Sequence, residues 1–177
     1  VMVVNFSRFN TEKFKNLKPP RDNSIETFKE INEINKLKKD DNFVVEFDDV
    51  QSVFEKIVGK DMDIGPMVEK SVPIILKLKN YFNRPRPRAL AKQYDIDLHL
   101  VELESMATPS YPSGHSTQGY LLANVLKNKY PEKSEELQKA ADNISDSRNI
   151  ARAHYKSDSE FGKMLGKAMA DYLEKLN

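Results

Sequence analysis

The sequence predicts an all-α, single-domain bundle of about six helices behind an extended N-terminal arm. Two observations carry that expectation. Apolar residues recur at three- and four-residue spacing through most of the chain, and the periodic stretches are punctuated by helix caps, glycine and proline. The size agrees: 177 residues, 39% of them apolar, suffice for one sizeable core. With 28 basic and 27 acidic side chains the net charge is +1, so no strong overall field calls for nucleic acid or an anionic membrane. There is no cysteine, and no apolar run approaches the roughly 20 residues a bilayer span needs.

Residues 1–23 are polar, contain Pro19-Pro20 and lack periodicity; they read as an arm lying on the surface of the helical domain, residues 24–177. Val1 to Phe6 lacks a basic segment followed by an apolar one, so no signal peptide is expected. The expected setting is soluble and cytoplasmic, or periplasmic if a leader has been trimmed. Asn23 followed by Glu26 resembles a helix start, and Ile25, Phe28, Ile31, Ile34 and Leu37 share a face. Val44-Val45-Glu46-Phe47 reads as a short strand without an evident partner. Asp48 or Asp49 can cap a helix carrying Val50, Val53, Phe54, Ile57 and Val58, with Gly59 at its end.

A third helix is expected from about Ile64 to Phe82, with Met67, Val68, Val72, Ile75, Leu76 and Leu78 inward and Pro73 starting or kinking its second half. It stops in Arg84-Pro85-Arg86-Pro87-Arg88, because residues before proline avoid the helical region. Residues 88–112 have poor periodicity and read as a functional lid or rim. A fourth helix follows His115 and ends before Pro131. A fifth runs from about Ser134 to Ala153, and a last one carries Phe161, Leu165, Ala168, Met169, Tyr172 and Leu173.

Three polar clusters stand at the ends of these elements. The first is Lys79 with Arg84 and Arg86, the second Ser113-Gly114-His115, the third Ser147-Arg148 through His154 to Asp158. The Pro-Ser-Gly turn opens a helix, so Gly114 lets a ligand approach the backbone where amide donors and the helix dipole point together. His115 on that turn could hand a proton to an anion. A lysine, several arginines, two histidines and a carboxylate are the parts needed to hold and attack a phosphoryl group. Each cluster also has a purely structural explanation: a solvated basic turn, a packed histidine, or ion pairs from Arg148 and Arg152 to Asp142 or Asp146. Those explanations are separate accidents, whereas one phosphate site accounts for all three.

The spacing resembles the signature of the type 2 phosphatidic acid phosphatase superfamily, which includes bacterial class A acid phosphatases and vanadium haloperoxidases. Lys79, six residues, Arg86-Pro87 fit the first block; Pro112 to His115 fit the second; Ser147-Arg148, His154 and Asp158 fit the third. Lys77 with Arg84-Pro85 fits the first block equally by count, and Lys79 with Arg86 is preferred because KNYFNRPRP resembles the class A form. The resemblance covers about residues 72–166. Arg152-Ala153 departs from a common Gly-Val, and a bulky arginine there is expected to narrow the pocket. Lys156 replaces a proline common in lipid-acting members, which argues against a lipid substrate.

Position by position, the resemblance implies His154 as nucleophile, Asp158 as the carboxylate orienting it, and His115 as the acid that protonates the leaving oxygen and then activates water. It implies Lys79, Arg86, Ser113, Gly114 and Arg148 as the phosphate clamp. Arg148 and His154 lie about 240° apart around an ideal helix, so the helix must end or bend between Asn149 and His154. The expected activity is hydrolysis of small-molecule phosphomonoesters through a phosphohistidine. The alternatives are a vanadate-dependent haloperoxidase and a non-catalytic anion-binding or structural module. No cofactor is implied. No metal site is expected either, since the one pocket carboxylate, Asp158, is committed to His154. Neither nucleic acid binding nor membrane insertion is expected, and the sequence is compatible with a homo-oligomer.

Overall fold

In the computed structural model, which describes residues 2–177, the chain forms eight α-helices and no strand among those residues. They are α1 (Ile25–Asn35), α2 (Asp41–Glu46), α3 (Val50–Val58), α4 (Gly65–Phe82), α5 (Pro87–Gln93), α6 (Gly114–Lys129), α7 (Ser134–Ile150) and α8 (Lys156–Leu176). Short 3-10 turns occupy Glu12–Asn16, Glu104–Ala107 and Pro131–Lys133. None of the helices described is long and apolar enough to cross a membrane.

The middle of the fold is α6, buried from Ser116 to Leu126 except at Gln118, which is half-buried. It packs most extensively against α8 and α7. Leu121, Leu122, Val125 and Leu126 meet Leu137, Ala141 and Ile144 of α7 and Phe161, Leu165, Met169 and Leu173 of α8 in one core. Each such leucine contributes about 1.5–3 kcal/mol by leaving water. A helix wrapped on several sides by apolar partners is rigidly held at its N-terminus, and that end carries Ser113, Gly114 and His115.

Two glycines set how closely α8 approaches. A Cβ on Gly166 would lie 2.4 Å from the Thr117 carbonyl oxygen and 2.9 Å from the Leu121 nitrogen. One on Gly162 would lie 2.8 Å from Ser116 Cβ and 2.9 Å from the Ser113 carbonyl oxygen. These are mostly backbone atoms, which cannot swing aside. Gly166→Ala is therefore expected to cost about 2 kcal/mol or more, outweighing the helix-propensity gain. Gly119→Ala, whose Cβ would sit at an ordinary 3.6 Å from Ala141 Cα, should be near neutral. Thermal melts of both variants check this, and equal melting temperatures would contradict it.

The sequence expectations hold for the helical class and most elements, with informative differences. Residues 44–47 do not form a strand. Asp40 caps α2 by accepting from the Phe43 nitrogen (3.1 Å), and Val44 is buried beside Met106, Ala151 and Ala153 while Val45 faces water. Tertiary burial of one valine outweighs the β preference of the pair. Ser24 rather than Asn23 caps α1, accepting from the Thr27 nitrogen, and of the two aspartates Asp49 caps α3. Helix α4 runs unbroken through Pro73, and Val72 points outward. Part of the stretch read as a rim is α5, opened by Pro87, with Leu90 and Ala91 buried against Ile31 and Tyr155.

The N-terminal stretch does more than lie on the surface. Phe6 and Phe14 are buried in the main core, where Phe14 stacks on Phe161 at 6.2 Å between ring centroids. Tyr111 Oη donates to the Leu17 carbonyl oxygen (2.6 Å), which ties the stretch to the turn before α6.

Candidate active site

Helix α7 ends at Ile150, and the chain turns through Arg152 in a left-handed conformation (φ 58°) before α8 begins. This is the break that the Arg148–His154 spacing requires. Arg152 stands where a glycine would be less strained. Its guanidinium leads away from the site, donating to the carbonyl oxygens of Asn35 (3.2 Å) and Leu37 (2.6 Å). The expectation that it narrows the pocket is thus corrected: its long side chain is spent closing the end of α1.

His154 emerges from that turn almost fully buried. Its Nδ1 donates to Asp158 Oδ2 (2.9 Å), and Arg86 Nη1 donates to its Nε2 (3.0 Å). Arginine has no lone pair to offer, so Nε2 must be the unprotonated nitrogen and Nδ1 the protonated one. Burial drives the imidazole pKa well below its ordinary value, and Arg86, Lys79, Arg148 and His115 push the same way. His154 is accordingly a neutral imidazole with its Nε2 lone pair turned toward the cationic side chains.

Asp158 is wholly buried in the first turn of α8. Arg84 Nη1 donates to its Oδ1 (2.7 Å), and the Tyr155 nitrogen (3.1 Å), His154 and the Ser110 hydroxyl donate to Oδ2. Burial raises its pKa to about 6, against the lowering by Arg84 and Ser110. It is therefore ionised at neutral pH, and its backbone oxygen also accepts from the Ser113 nitrogen (3.1 Å).

The cationic side is built from three elements. Lys79, in the last turn of α4, is buried and donates to the Pro109 carbonyl oxygen (2.7 Å). Its Cε lies 3.8 Å from where a Cβ on Gly114 would stand. Burial and the Arg86 charge bring its pKa down to about 7, while Asp158 opposes them. Arg86 also donates to the carbonyl oxygens of Thr108 (2.7 Å), Ser105 (2.7 Å) and Ala153 (3.0 Å), so it fastens the 105–108 turn to His154. Arg148, 1% exposed, donates through Nε to Ser147 Oγ (3.1 Å) and through Nη1 to Asp48 Oδ1 (3.1 Å). Its Nη2 has no hydrogen-bond partner among the described residues.

At the head of α6, Ser113 Oγ caps the helix by accepting from the Ser116 nitrogen (3.2 Å). His115 Nε2 donates to the Asp48 carbonyl oxygen (2.7 Å) and lies 3.5 Å from Asp48 Oδ1. Burial lowers the His115 pKa, its hydrogen bonding to Asp48 raises it, and the net shift is downward.

All eight residues singled out from the sequence thus fall into one connected region. Four others belong to it: Arg84, which the sequence offers only in the basic cluster and the alternative register, and Ser110, Asp48 and Glu30, which it does not single out as site residues. Arg84 holds Asp158, and Ser110 donates to it. Asp48 links Arg148 to His115, and Glu30 of α1 accepts from Ser157 and Arg84. Arg84 lies inside the first motif block, and Ser110 stands two residues before the second. Asp48 and Glu30 lie far off in the chain and carry no local signal. Lys77, the lysine of the alternative register, is solvent-exposed. Among the described residues no group of three or more His, Asp or Glu side chains is placed to hold a metal ion.

The sequence model of the PAP2 superfamily matches residues 70–173. The chain is similar to a non-specific acid phosphatase of Salmonella typhimurium (strain LT2), 44% identical over 57 residues. It is also similar to one of Salmonella typhi, 42% identical over 57 residues. In both cases the match covers 32% of this chain and 23% of the relative, so the chain spans less than a quarter of their length in alignment.

Proposed function

Because the chain belongs to the PAP2 superfamily, we propose that it hydrolyses phosphomonoesters through a phosphohistidine on His154, without a metal. The observation that carries this reading is the tautomer of His154. A carboxylate holds Nδ1–H while Nε2 keeps its lone pair in a buried, cationic surrounding.

In the proposed reaction the phosphoryl group enters among Lys79, Arg86, Arg148, Ser113 and the Gly114 amide, which bind its oxygens as charge spreads over them. Nε2 of His154 attacks phosphorus, an N–P bond forms, and the P–O bond to the alcohol breaks. His115 donates its proton to the departing oxygen. Asp158 stabilises the positive charge that appears on the imidazole. Water then attacks phosphorus, His115 takes its proton, and the N–P electrons return to Nε2.

The pH dependence follows from these states. Attack needs His154 neutral, and its depressed pKa keeps it so through mildly acid solution. Protonating the alcohol needs His115 charged, and retaining the clamp needs Lys79 charged, with its pKa near 7. The kcat/KM for an alkyl phosphate should therefore peak on the acid side and fall as pH rises through the His115 pKa. For an aryl phosphate with a good leaving group the fall should shift toward the pKa of Lys79.

The test measures phosphate release from an aryl phosphate, sugar phosphates and nucleotides, with and without chelator, together with vanadate-dependent halide oxidation by peroxide. Phosphate release that survives chelator supports the reading. Halide oxidation without phosphate release would favour the haloperoxidase alternative. Neither activity would leave an anion-binding module, and activity restored only by added metal would overturn the mechanism.

A further inference from the structure

Beside His115 lies a cavity of about 690 Å³, walled by the turn before α3, the start of α3, α6 and the 102–105 segment. Its charged walls are of one sign. Asp48, Asp49, Glu102 and Glu104 line it, and no Lys, Arg, Phe, Tyr or Trp does. The cations stand behind this wall. Arg148 is buried, reaches Asp48 with Nη1, and has in Nη2 an unpartnered donor. His115 bridges the two regions: it lines the cavity and bonds to the same Asp48.

This layout separates the two ends of a phosphate ester. The buried unpartnered donor and its cationic neighbours suit the phosphoryl group. The alcohol must then lie on the far side of His115, since that side chain would protonate the ester oxygen, and the far side is the acidic cavity. Resting on the phosphatase reading above, we propose that this cavity receives the leaving group and selects phosphomonoesters of amino alcohols over those whose alcohol carries further negative charge. Asp48 is already paired with Arg148, so a cationic alcohol gains chiefly from Asp49, Glu102 and Glu104, a neutral hydroxylated one finds polar walls, and an anionic one meets like charge. Arg88, 3.6 Å from Glu102, offsets part of that residue's charge from outside the cavity. Exposed carboxylates act through solvent, so each contributes modestly and selectivity comes from their sum.

The experiment compares three esters with two-carbon alcohols: phosphoethanolamine, 2-hydroxyethyl phosphate and phosphoglycolate, with a chromogenic aryl phosphate alongside. The wild type is expected to favour the amine over the carboxylate by about tenfold or more in kcat/KM, with the diol between. Alcohols differ in leaving ability, so the decisive reading is the same ratio in the double variant Glu102→Gln/Glu104→Gln. Both residues are exposed and lie outside the proposed catalytic groups. There the amine-to-carboxylate ratio should fall about threefold to tenfold while aryl phosphate turnover is kept. Aryl phosphate turnover with no such preference, or with a ratio unmoved in the variant, overturns this inference and leaves the phosphatase reading standing. Absence of turnover on every ester removes both.

Discussion

His154→Ala should lower phosphate release by at least about 10⁴-fold, the scale of losing a nucleophile that acts together with its base and orienting group. The fold should survive, because the imidazole leaves behind an Asp158 still held by Arg84, Ser110 and the Tyr155 nitrogen. The companion experiment uses His115→Ala. With the proposed proton donor gone, alkyl phosphates should turn over very slowly, whereas an aryl phosphate with a good leaving group should still phosphorylate the enzyme. Hydrolysis then becomes limiting and the adduct accumulates. Quenching under mildly alkaline conditions, where phosphohistidine survives, followed by peptide mapping should find the label on His154. A label on Ser113, or turnover with no label at all, would remove His154 from its proposed role.

The second large effect concerns the pair beneath His154. Arg84 and Asp158 both have fully buried side chains and meet at 2.7 Å. Removing one partner leaves an uncompensated buried charge, so Arg84→Met is expected to destabilise the fold by about 3–5 kcal/mol. Lys77→Ala, at an exposed position, should be close to silent. The motif count alone groups these two residues as the discarded register and predicts that both are cheap; the contacts separate them. Asp158→Asn combined with Arg84→Met should cost less than the sum of the single changes, because the second removes a charge that the first has already orphaned. Denaturant melts of the four proteins measure this coupling. Strict additivity, or a cost under about 1 kcal/mol for Arg84→Met, would show that the pair is not the support described.

The legible parts of the molecule were those written in local pattern. Ile31 and Ile34 repeat at helical spacing and are buried, Gly59 ends α3 with φ 81°, and the six-position separation of Arg148 and His154 demanded the turn found at Arg152. Val44-Val45 misled because β preference is a tendency of isolated residues, while the helix there is set by the Asp40 cap and by burial of Val44 alone. Helix α5 is only seven residues long and hides behind two prolines, too short for periodicity to register. Asp48 is the instructive miss. Its sequence setting suggests a helix cap, a role its neighbour Asp49 performs, and its contacts with Arg148 and His115 span 100 and 67 residues. Distance of that kind leaves no trace in a single sequence.

Asp158 gathers bonds from Arg84, Ser110 and His154, which stand 74, 48 and 4 residues before it. A ribosome delivers the chain in that same order, so the cationic residues, the glycine turn and both histidines all leave the exit tunnel before the carboxylate that fastens them. Until α8 docks in the groove that Gly162 and Gly166 keep open, the Nδ1–H of His154 lacks its carboxylate acceptor and Arg84 is left with Glu30 alone. Nascent chains and partly unfolded intermediates therefore hold the proposed reactive groups without the arrangement that would make them reactive. Docking of α8 and assembly of the proposed site thus become a single late event.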